Sequence, residues 1–166
     1  MKARLFFTIG FGVCAVMLGV AYFLQYGLHL EPCPLCILER IAVLVTLGLF
    51  GLAALHNPGK IGQKIYSLLI SSTLILGLGI AGRHLYLQNL PKDQVPDCVP
   101  GFDYLIENFP LSEVLTLLVQ GSGQCAQVGA RLLGLSLSQW TAIALMGLLF
   151  WSLSPFFGII KQKPNL

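Results

Sequence analysis

Cysteines are the side chains of this sequence most able to do chemistry. Cys33 and Cys36 form a Cys-x-x-Cys motif, and Cys98 and Cys125 follow in a later, more polar segment. A disulfide across the short Cys-x-x-Cys ring restrains the chain very little, so the motif is typical of thiol–disulfide exchange rather than of structural bracing. Cys14, inside an apolar run, is interpreted as a packing or lipid-facing side chain.

A cation follows the motif at helical spacing. Arg40 comes four residues after Cys36, so on a helix the two side chains share one face, about 6 Å apart along the axis. A nearby guanidinium favours a thiolate, and the spacing therefore predicts that Arg40 holds Cys36 in its reactive form. The alternative is an arginine that extends to the membrane surface and pairs with Glu39 or with a lipid phosphate.

The rest of the chain is too apolar for a soluble domain. Of its 166 residues, 55% are hydrophobic and only 10% are charged, and the mean hydropathy is +0.78. An average soluble domain is about 25% charged, so this composition excludes a water-exposed fold and also excludes disorder. The net charge of +3 is small and the sequence has no basic run, so we expect no nucleic acid as a partner.

Long apolar runs predict an all-α integral membrane fold, a four-transmembrane-helix bundle in a single domain over residues 1–166. A helix needs about 20 apolar residues to cross the hydrocarbon core, and the runs lack the alternation of barrel strands. The predicted spans lie near residues 6–26, 35–55, 65–86 and 137–158, and the predicted outer loops are 27–34 and 87–136.

Charges give this bundle a predicted orientation in the lipid bilayer. The chain ends and the loop after the second span carry basic residues without acidic neighbours, whereas all 7 acidic residues fall on the opposite side. The positive-inside rule then puts both termini in the cytoplasm and the four outer cysteines in an oxidising compartment. The basic residues that decide the orientation are Lys2, Arg4, Lys60, Lys64, Lys161 and Lys163.

The second outer loop contains a predicted short horizontal helix. Ser112 is the expected cap at its start, an apolar stretch follows, and Gly121 ends it. Such a helix either lies on the membrane surface or packs over the mouth of the bundle, and the two interpretations are compatible.

Two polar side chains, Arg83 and His84, mark the outer end of the third span. Either could donate a hydrogen bond to a carbonyl oxygen of a lipid-soluble electron acceptor. Such an acceptor would lie at the same depth in the membrane as the Cys36 thiolate and the Arg40 cation. A role as anchors at the membrane interface fits the two residues equally well.

The four outer cysteines also permit interpretations without exchange chemistry. Static disulfides would brace the loops, and the pair Cys98 and Cys125 by itself fits that role as well as it fits exchange. A four-cysteine zinc site is disfavoured, because structural zinc usually uses two short cysteine knuckles and this second pair is widely split. We therefore expect no metal.

Together these residues resemble a known family. The segment Cys-Pro-Leu-Cys-Ile-Leu-Glu-Arg at residues 33–40, the four spans and the cysteine pair in the second outer loop resemble the disulfide bond formation protein B (DsbB) family. The resemblance covers nearly the whole chain. It implies a bacterial inner-membrane enzyme that reoxidises the periplasmic thiol oxidase DsbA and passes the electrons to a membrane quinone, either ubiquinone or menaquinone.

The resemblance also implies a role for each outer cysteine. Cys98 forms the mixed disulfide with DsbA, and Cys125 is the disulfide partner of Cys98. Cys125 can also bond transiently to Cys33, which leaves Cys36 as the thiolate that faces the quinone ring.

The quinone site is implied by the same resemblance. Arg40 matches the quinone-site arginine of the family, and His84 falls where the family has a histidine close to the quinone. Arg83 matches no such position. Two rival functions are retained: a structural membrane protein with two inert disulfides, and a quinone reductase similar to vitamin K epoxide reductase, in which the Cys-x-x-Cys motif is expected near the last span.

Overall fold

Four long helices run through most of the chain. The computed structural model describes residues 3–30, 32–91, 93–95, 97, 104, 107–126 and 131–157. Within them, four helices are long and apolar enough to cross a membrane, which confirms the predicted four-transmembrane-helix bundle. These helices are α1 (Ala3–Gly27), α2 (Pro34–His56), α3 (Lys60–Gln88) and α6 (Leu137–Leu153), and a 3-10 turn (Ser154–Phe157) extends the last one.

Short elements occupy the segment between α3 and α6. They are helix α4 (Leu111–Gln120), the single turn α5 (Gly123–Ala126), and strands β1 (Arg131–Leu132) and β2 (Leu135–Ser136). The strands pair antiparallel as a hairpin, and both residues of the connecting turn have positive φ, as tight hairpin turns of this kind require. Strand β2 leads directly into α6, so the hairpin sets where the last membrane helix begins.

The connection between α2 and α3 is shorter than the sequence suggests. Asn57 ends α2 in the left-handed conformation with φ 45°, and α3 begins at Lys60. Lys60 and Lys64, expected in a loop, therefore lie in the first turns of α3. The reason is length: α3 has 29 residues, about 44 Å of helix, so its first turns extend beyond a hydrocarbon core about 30 Å thick and tolerate lysine.

An aromatic cluster joins the helices near the start of the chain. Phe6 stacks on Trp151 with ring centroids 5.1 Å apart, and Phe7 meets Phe6 edge-on, also at 5.1 Å. Phe7 packs in addition against Phe50, so the cluster connects α1, α2 and α6. Helices in lipid gain little hydrophobic drive for association, so close van der Waals contacts of this kind hold the bundle together.

Gly10 allows α1 and α2 to approach each other at this cluster. A Cβ at position 10 would lie only 2.6 Å from Cζ of Phe50, and the Phe50 ring is completely buried. Cys14, one turn further along α1, is also completely buried in the same core. Of the two interpretations of Cys14, the structure therefore supports packing over lipid exposure.

Helix α4 packs against the N-terminal part of α2. Val114 and Leu118 are buried and lie against Leu38, while Leu111 and Val119 remain exposed. One apolar face of α4 thus covers α2 and a second apolar strip is left uncovered by the described residues, which agrees with both interpretations of this helix.

The two ends of α4 differ in how well the sequence predicts them. Pro110, not Ser112, lies at the N-terminal boundary, and its ring-fixed φ of −65° starts the helix without a side-chain cap. Ser112 lies in the first turn instead. Gly121 ends the helix as predicted: its φ is +75°, and a Cβ there would lie 2.5 Å from Leu87.

We predict that Gly10→Ala destabilises the bundle by about 1–3 kcal/mol, the usual cost of overpacking a closely packed site. The added Cβ has to displace the buried Phe50 ring. Gly12→Ala is the matched control, because a Cβ at that position on the same helix meets nothing within 4 Å. Thermal unfolding of both variants in detergent measures the difference, and equal midpoints for the two would contradict the prediction.

Candidate active site

The Cys-x-x-Cys motif forms the first turn of α2. Cys33 is the N-cap, with an extended backbone (φ −70°, ψ 163°), and its sulfur accepts a hydrogen bond from the Cys36 backbone N–H at 3.3 Å. Pro34 occupies the first helical position, where no backbone N–H is needed. The two sulfurs lie 2.8 Å apart as free thiols, so the local fold already brings them to a distance suited to disulfide formation.

Cys125, on a separate helical turn, hydrogen-bonds with Cys33 of this pair. It lies in α5, is completely buried, and belongs to one apolar cluster with Cys33, Leu35 and Leu87. A hydrogen bond from the Cys33 thiol lowers the pKa of Cys125 to about 5, with further help from backbone groups of Ser122 and Leu35. Cys125 is therefore held as a thiolate next to Cys33.

Cys33 is the middle sulfur of the three. Its hydrogen bonds with Cys125 and with Cys36, together with burial, raise its pKa above the usual value, so it remains a thiol. Thiol–disulfide exchange requires an attacking thiolate and a leaving sulfur next to the attacked sulfur. Here Cys125 is the thiolate, Cys36 is the potential leaving sulfur, and Cys33 is the atom attacked. The sequence places these three cysteines in one compartment, and the structure places them in contact.

A buried pair of polar side chains, His84 and Glu39, lies next to the sulfurs. Nδ1 of His84 lies 2.9 Å from Oε1 of Glu39, and both residues are buried. Nε2 of the same ring lies 3.7 Å from the Cys33 sulfur. When Nδ1 donates its proton to the carboxylate, Nε2 faces the sulfurs as a group that can accept or return a proton.

Glu39 is the site residue that sequence reasoning missed. The sequence suggests it only as a partner for Arg40, yet the structure pairs it with His84, on the neighbouring helix. A signal was available, because an acidic residue inside a membrane span usually faces the bundle interior and has a partner there. The sequence could not name that partner, since α2 and α3 meet only in the folded bundle.

Gln88 links the site to the beginning of α6. Its amide nitrogen lies 3.4 Å from Nε2 of His84, and its carbonyl oxygen accepts hydrogen bonds from the hydroxyls of Ser136 and Ser138 at 3.1 and 3.0 Å. Ser136 also caps α6 in a capping box with Gln139. One polar network therefore connects the cysteine motif to the last membrane helix.

Arg40 is directed toward α1. Its guanidinium donates to the side-chain oxygen of Gln25 and, at 3.1 Å, to the carbonyl of Ala21, and it lies 5.5 Å from the ring centre of Tyr22. These contacts differ from the predicted pairing with Cys36, because the long side chain reaches polar acceptors on the adjacent helix. Arg40 nevertheless lines the same cavity as Cys36.

That cavity has a volume of about 640 Å³ and lies among α1, α2, α3 and α6. Its size is within the range typical of sites for small organic ligands. Its apolar wall comes mainly from α1 and α6. Polar side chains also come from Gln124 and from the start of α6, and a further set converges from the start of α2 and from the end of α3. These polar and sulfur-bearing lining residues are Cys33, Cys36, Glu39, Arg40, His84 and Gln88.

The remaining residues that the sequence singles out are Arg83 and Cys98. Arg83 donates a hydrogen bond to the Gln120 carbonyl at 3.1 Å and packs over the Tyr86 ring, so it anchors the end of α4 rather than lining the cavity. Cys98 lies outside the described residues. Its sequence neighbour Asp97 accepts a hydrogen bond from the Gly123 backbone N–H at 3.3 Å, at the start of α5.

The fold and the site together define a class: a multi-pass membrane protein with cysteines arranged for disulfide exchange above an apolar cavity. Comparison with known proteins gives the family. The family model described as "Disulfide bond formation protein DsbB" matches residues 3–154, and the chain belongs to this family.

Relatives named "Disulfide bond formation protein B" match along nearly the full chain. The relative from Nitrosococcus oceani is 49% identical over 146 residues, covering 88% of this chain and 86% of its own length. The relative from Chromohalobacter salexigens is 45% identical over 164 residues, covering 98% and 95%. The relative from Chromobacterium violaceum is 47% identical over 147 residues, covering 89% of each chain.

We predict that the reduced protein contains a thiolate that titrates near pH 5 and is absent from Cys125→Ser. The far-ultraviolet absorbance of the thiolate, taken as the difference between wild type and Cys125→Ser, should persist at neutral pH and fall as the pH drops through about 5. Because Cys33 supplies the stabilising hydrogen bond, Cys33→Ala should move the midpoint up toward about 8.5, the ordinary value.

Cys33→Ser is the matched control for this titration, since its hydroxyl still donates a hydrogen bond. It should keep the midpoint well below that of Cys33→Ala. A midpoint that is the same in both variants would mean that the Cys33 side chain does not hold the thiolate.

Proposed function

We propose that the protein is a protein-dithiol:quinone oxidoreductase that reoxidises a DsbA-like periplasmic thiol oxidase and passes the electrons to a membrane quinone. The proposal rests on one observation. Cys33 contacts both Cys36 and Cys125, and the cavity lined by Cys33 and Cys36 is also lined by Arg40 and His84. In this proposal the bundle lies in the bacterial inner membrane, with both termini in the cytoplasm and the cysteines on the periplasmic side, as the charge distribution favours.

The first half of the proposed relay is exchange between the outer cysteines. A thiolate of reduced DsbA attacks Cys98 of a Cys98–Cys125 disulfide, and Cys125 leaves as a thiolate. Cys125 then attacks Cys33 of the Cys33–Cys36 disulfide, and Cys36 leaves. The contact between Cys125 and Cys33 and the low pKa of Cys125 support this order.

The second half returns the cysteines to their starting state. The other DsbA thiolate displaces Cys98, which releases oxidised DsbA, and Cys98 then attacks Cys125, which leaves Cys33 and Cys36 reduced. Re-forming their disulfide sends two electrons to the acceptor. DsbA thus loses two electrons and two protons, and the quinone gains both.

The cavity residues have separate tasks in this proposal. A bound quinone, either ubiquinone or menaquinone, supplies the capacity to accept two electrons and two protons. The guanidinium of Arg40, held by its hydrogen bond to the Ala21 carbonyl of α1, places a positive charge at the cavity. This charge favours the build-up of negative charge there. His84, oriented by Glu39, holds or returns a proton at Nε2 beside the sulfurs.

We expect Cys36→Ser and Cys98→Ser each to abolish DsbA-dependent quinone reduction, because each removes a sulfur that the relay must pass through. The assay uses the purified full-length protein in detergent with reduced DsbA and a soluble ubiquinone analogue, and follows the loss of quinone absorbance. Cys14→Ser is the matched control, since Cys14 is buried in the bundle core and takes no part in the relay.

Retained turnover in Cys36→Ser would contradict this relay. Absence of turnover in the wild type with both quinone types, together with cysteines that stay oxidised in thiol trapping, would favour the rival structural protein with inert disulfides.

We further expect Glu39→Gln to slow quinone reduction about 100-fold while exchange with DsbA is unchanged, because loss of the carboxylate charge weakens the proton function of His84. The two phases are separated by mixing the oxidised protein with reduced DsbA in the absence of quinone. Glu113→Gln, the same change at an exposed position of α4, should alter neither phase. Equal slowing of both phases by Glu39→Gln would assign Glu39 a purely structural role.

A further inference from the structure

Three potential metal ligands converge at the beginning of α2. The sulfurs of Cys33 and Cys36 and a ring nitrogen of His84 all lie within 4.8 Å of one another. The sulfur–nitrogen distance from Cys33 is 3.7 Å, and the sulfur–sulfur distance is 2.8 Å. In tetrahedral zinc coordination, two sulfurs stand about 3.8 Å apart and a sulfur and a nitrogen about 3.6 Å apart.

Coordination would therefore need only a small rearrangement. The nitrogen already stands at the required distance from Cys33, and the two sulfurs need to separate by about 1 Å, which rotation of the Cys36 side chain supplies. The Cys-x-x-Cys spacing itself is one of the spacings that structural zinc sites use.

We propose that the reduced protein binds a Zn²⁺ ion between the two motif sulfurs and Nε2 of His84. Cys125 shares a buried cluster with Cys33, but it is not one of the three ligands that already lie within 4.8 Å of one another. Its sulfur would have to move closer to act as the fourth ligand. The proposal concerns the reduced cysteines and does not depend on the quinone reaction.

The surroundings of His84 match those of a metal-binding histidine. Such a histidine usually donates its second ring N–H to a carboxylate or carbonyl, which fixes the tautomer and directs the other nitrogen to the metal. Here Nδ1 lies 2.9 Å from the carboxylate of Glu39, so Nε2 is the nitrogen that faces the sulfurs. Glu39 is then the orienting residue and not a ligand.

This ligand set differs from the four-cysteine site that the sequence disfavoured. That site required the widely split pair of Cys98 and Cys125 to act as a second knuckle. In the folded bundle His84 of α3 joins the two motif sulfurs. Cys125, which shares a buried cluster with Cys33, is the only proposed ligand from the outer loop. Sequence spacing could not predict a ligand that another helix contributes.

Binding would compete with exchange at the same atoms. Zn²⁺ displaces the remaining thiol protons and is not itself oxidised or reduced, so no electron is transferred. A sulfur bonded to the metal is not free to attack a disulfide or to form one. The site exists only in the reduced protein, because the oxidised motif has both sulfurs joined to each other.

The test uses Co²⁺ as a spectroscopic probe and the full-length reduced protein in detergent. We expect thiolate-to-cobalt charge-transfer bands and the intense visible bands of a tetrahedral site, both removed by added Zn²⁺. Cys36→Ser and Cys33→Ser should lose these bands, and Glu39→Gln should weaken metal affinity about 10–100-fold through His84. Cys14→Ser is the matched control and should bind like the wild type.

The proposal would be overturned by the absence of thiolate bands in the reduced wild type, by the same bands in the oxidised wild type, or by loss of the bands in Cys14→Ser. The oxidised wild type is a control without any substitution, so misfolding cannot imitate it. Cys98→Ser separates this proposal from the relay, since it should lose quinone turnover and keep the cobalt bands. Bands that disappear in Cys98→Ser would contradict the ligand set.

Discussion

The N-terminal turn of α2 is the element on which the rest of the site depends. The first backbone N–H groups of a helix have no acceptor within the helix, and leaving them without one is costly when the helix end is buried. Here sulfur atoms serve as acceptors. The Cys36 N–H donates to the Cys33 sulfur, and the backbone of Leu35 forms a hydrogen bond with the Cys125 sulfur. The same hydrogen bonds therefore cap a membrane helix and position the reactive sulfurs. Pro34 adds to this by fixing the first helical residue without adding another N–H to satisfy.

A continuous polar network holds the other side of the site. It runs from Glu39 through His84 and Gln88 to the two serines at the beginning of α6, and so connects three membrane helices. Buried polar groups are stable only when each has a partner, so the network fixes the relative position of these helices at the level of the cysteines. The aromatic cluster around Phe6 and Phe50 joins the helices near the start of the chain by ring packing, together with a 3.4 Å hydrogen bond from the Trp151 indole N–H to the Phe6 carbonyl. The hydrogen-bond network therefore fixes the helices at the level of the reactive cysteines.

The sequence predicts the features that depend on interactions within one segment, and it does not predict those that depend on contacts between helices. The four spans are predictable because lipid imposes long apolar runs, and the end of α4 is predictable because Gly121 has a conformation that few other residues adopt. The pairing of Glu39 with His84 and the direction of Arg40 toward α1 are contacts between helices, which helical spacing within one segment cannot reveal. The sequence predicts the start of α4 at Ser112, a good cap by residue type, but Pro110 already fixes the backbone two residues earlier.

The two halves of the site differ in how firmly they are held, and the proposed relay requires that difference. Cys33 and Cys36 belong to a helix packed along most of its length, whereas Cys125 sits on a single helical turn attached through Gly121. The turn is held by packing against Leu35 and Leu87, by the hydrogen bond between Gly123 and Asp97 and by the anchoring of α4 by Arg83. A single turn in a loop can separate when these contacts alone are broken, while a segment within the bundle core opens only with the whole fold. In the proposed relay Cys125 passes between Cys98 and Cys33 and therefore belongs on the loop, whereas Cys36 must keep a fixed relation to the cavity and belongs on the helix.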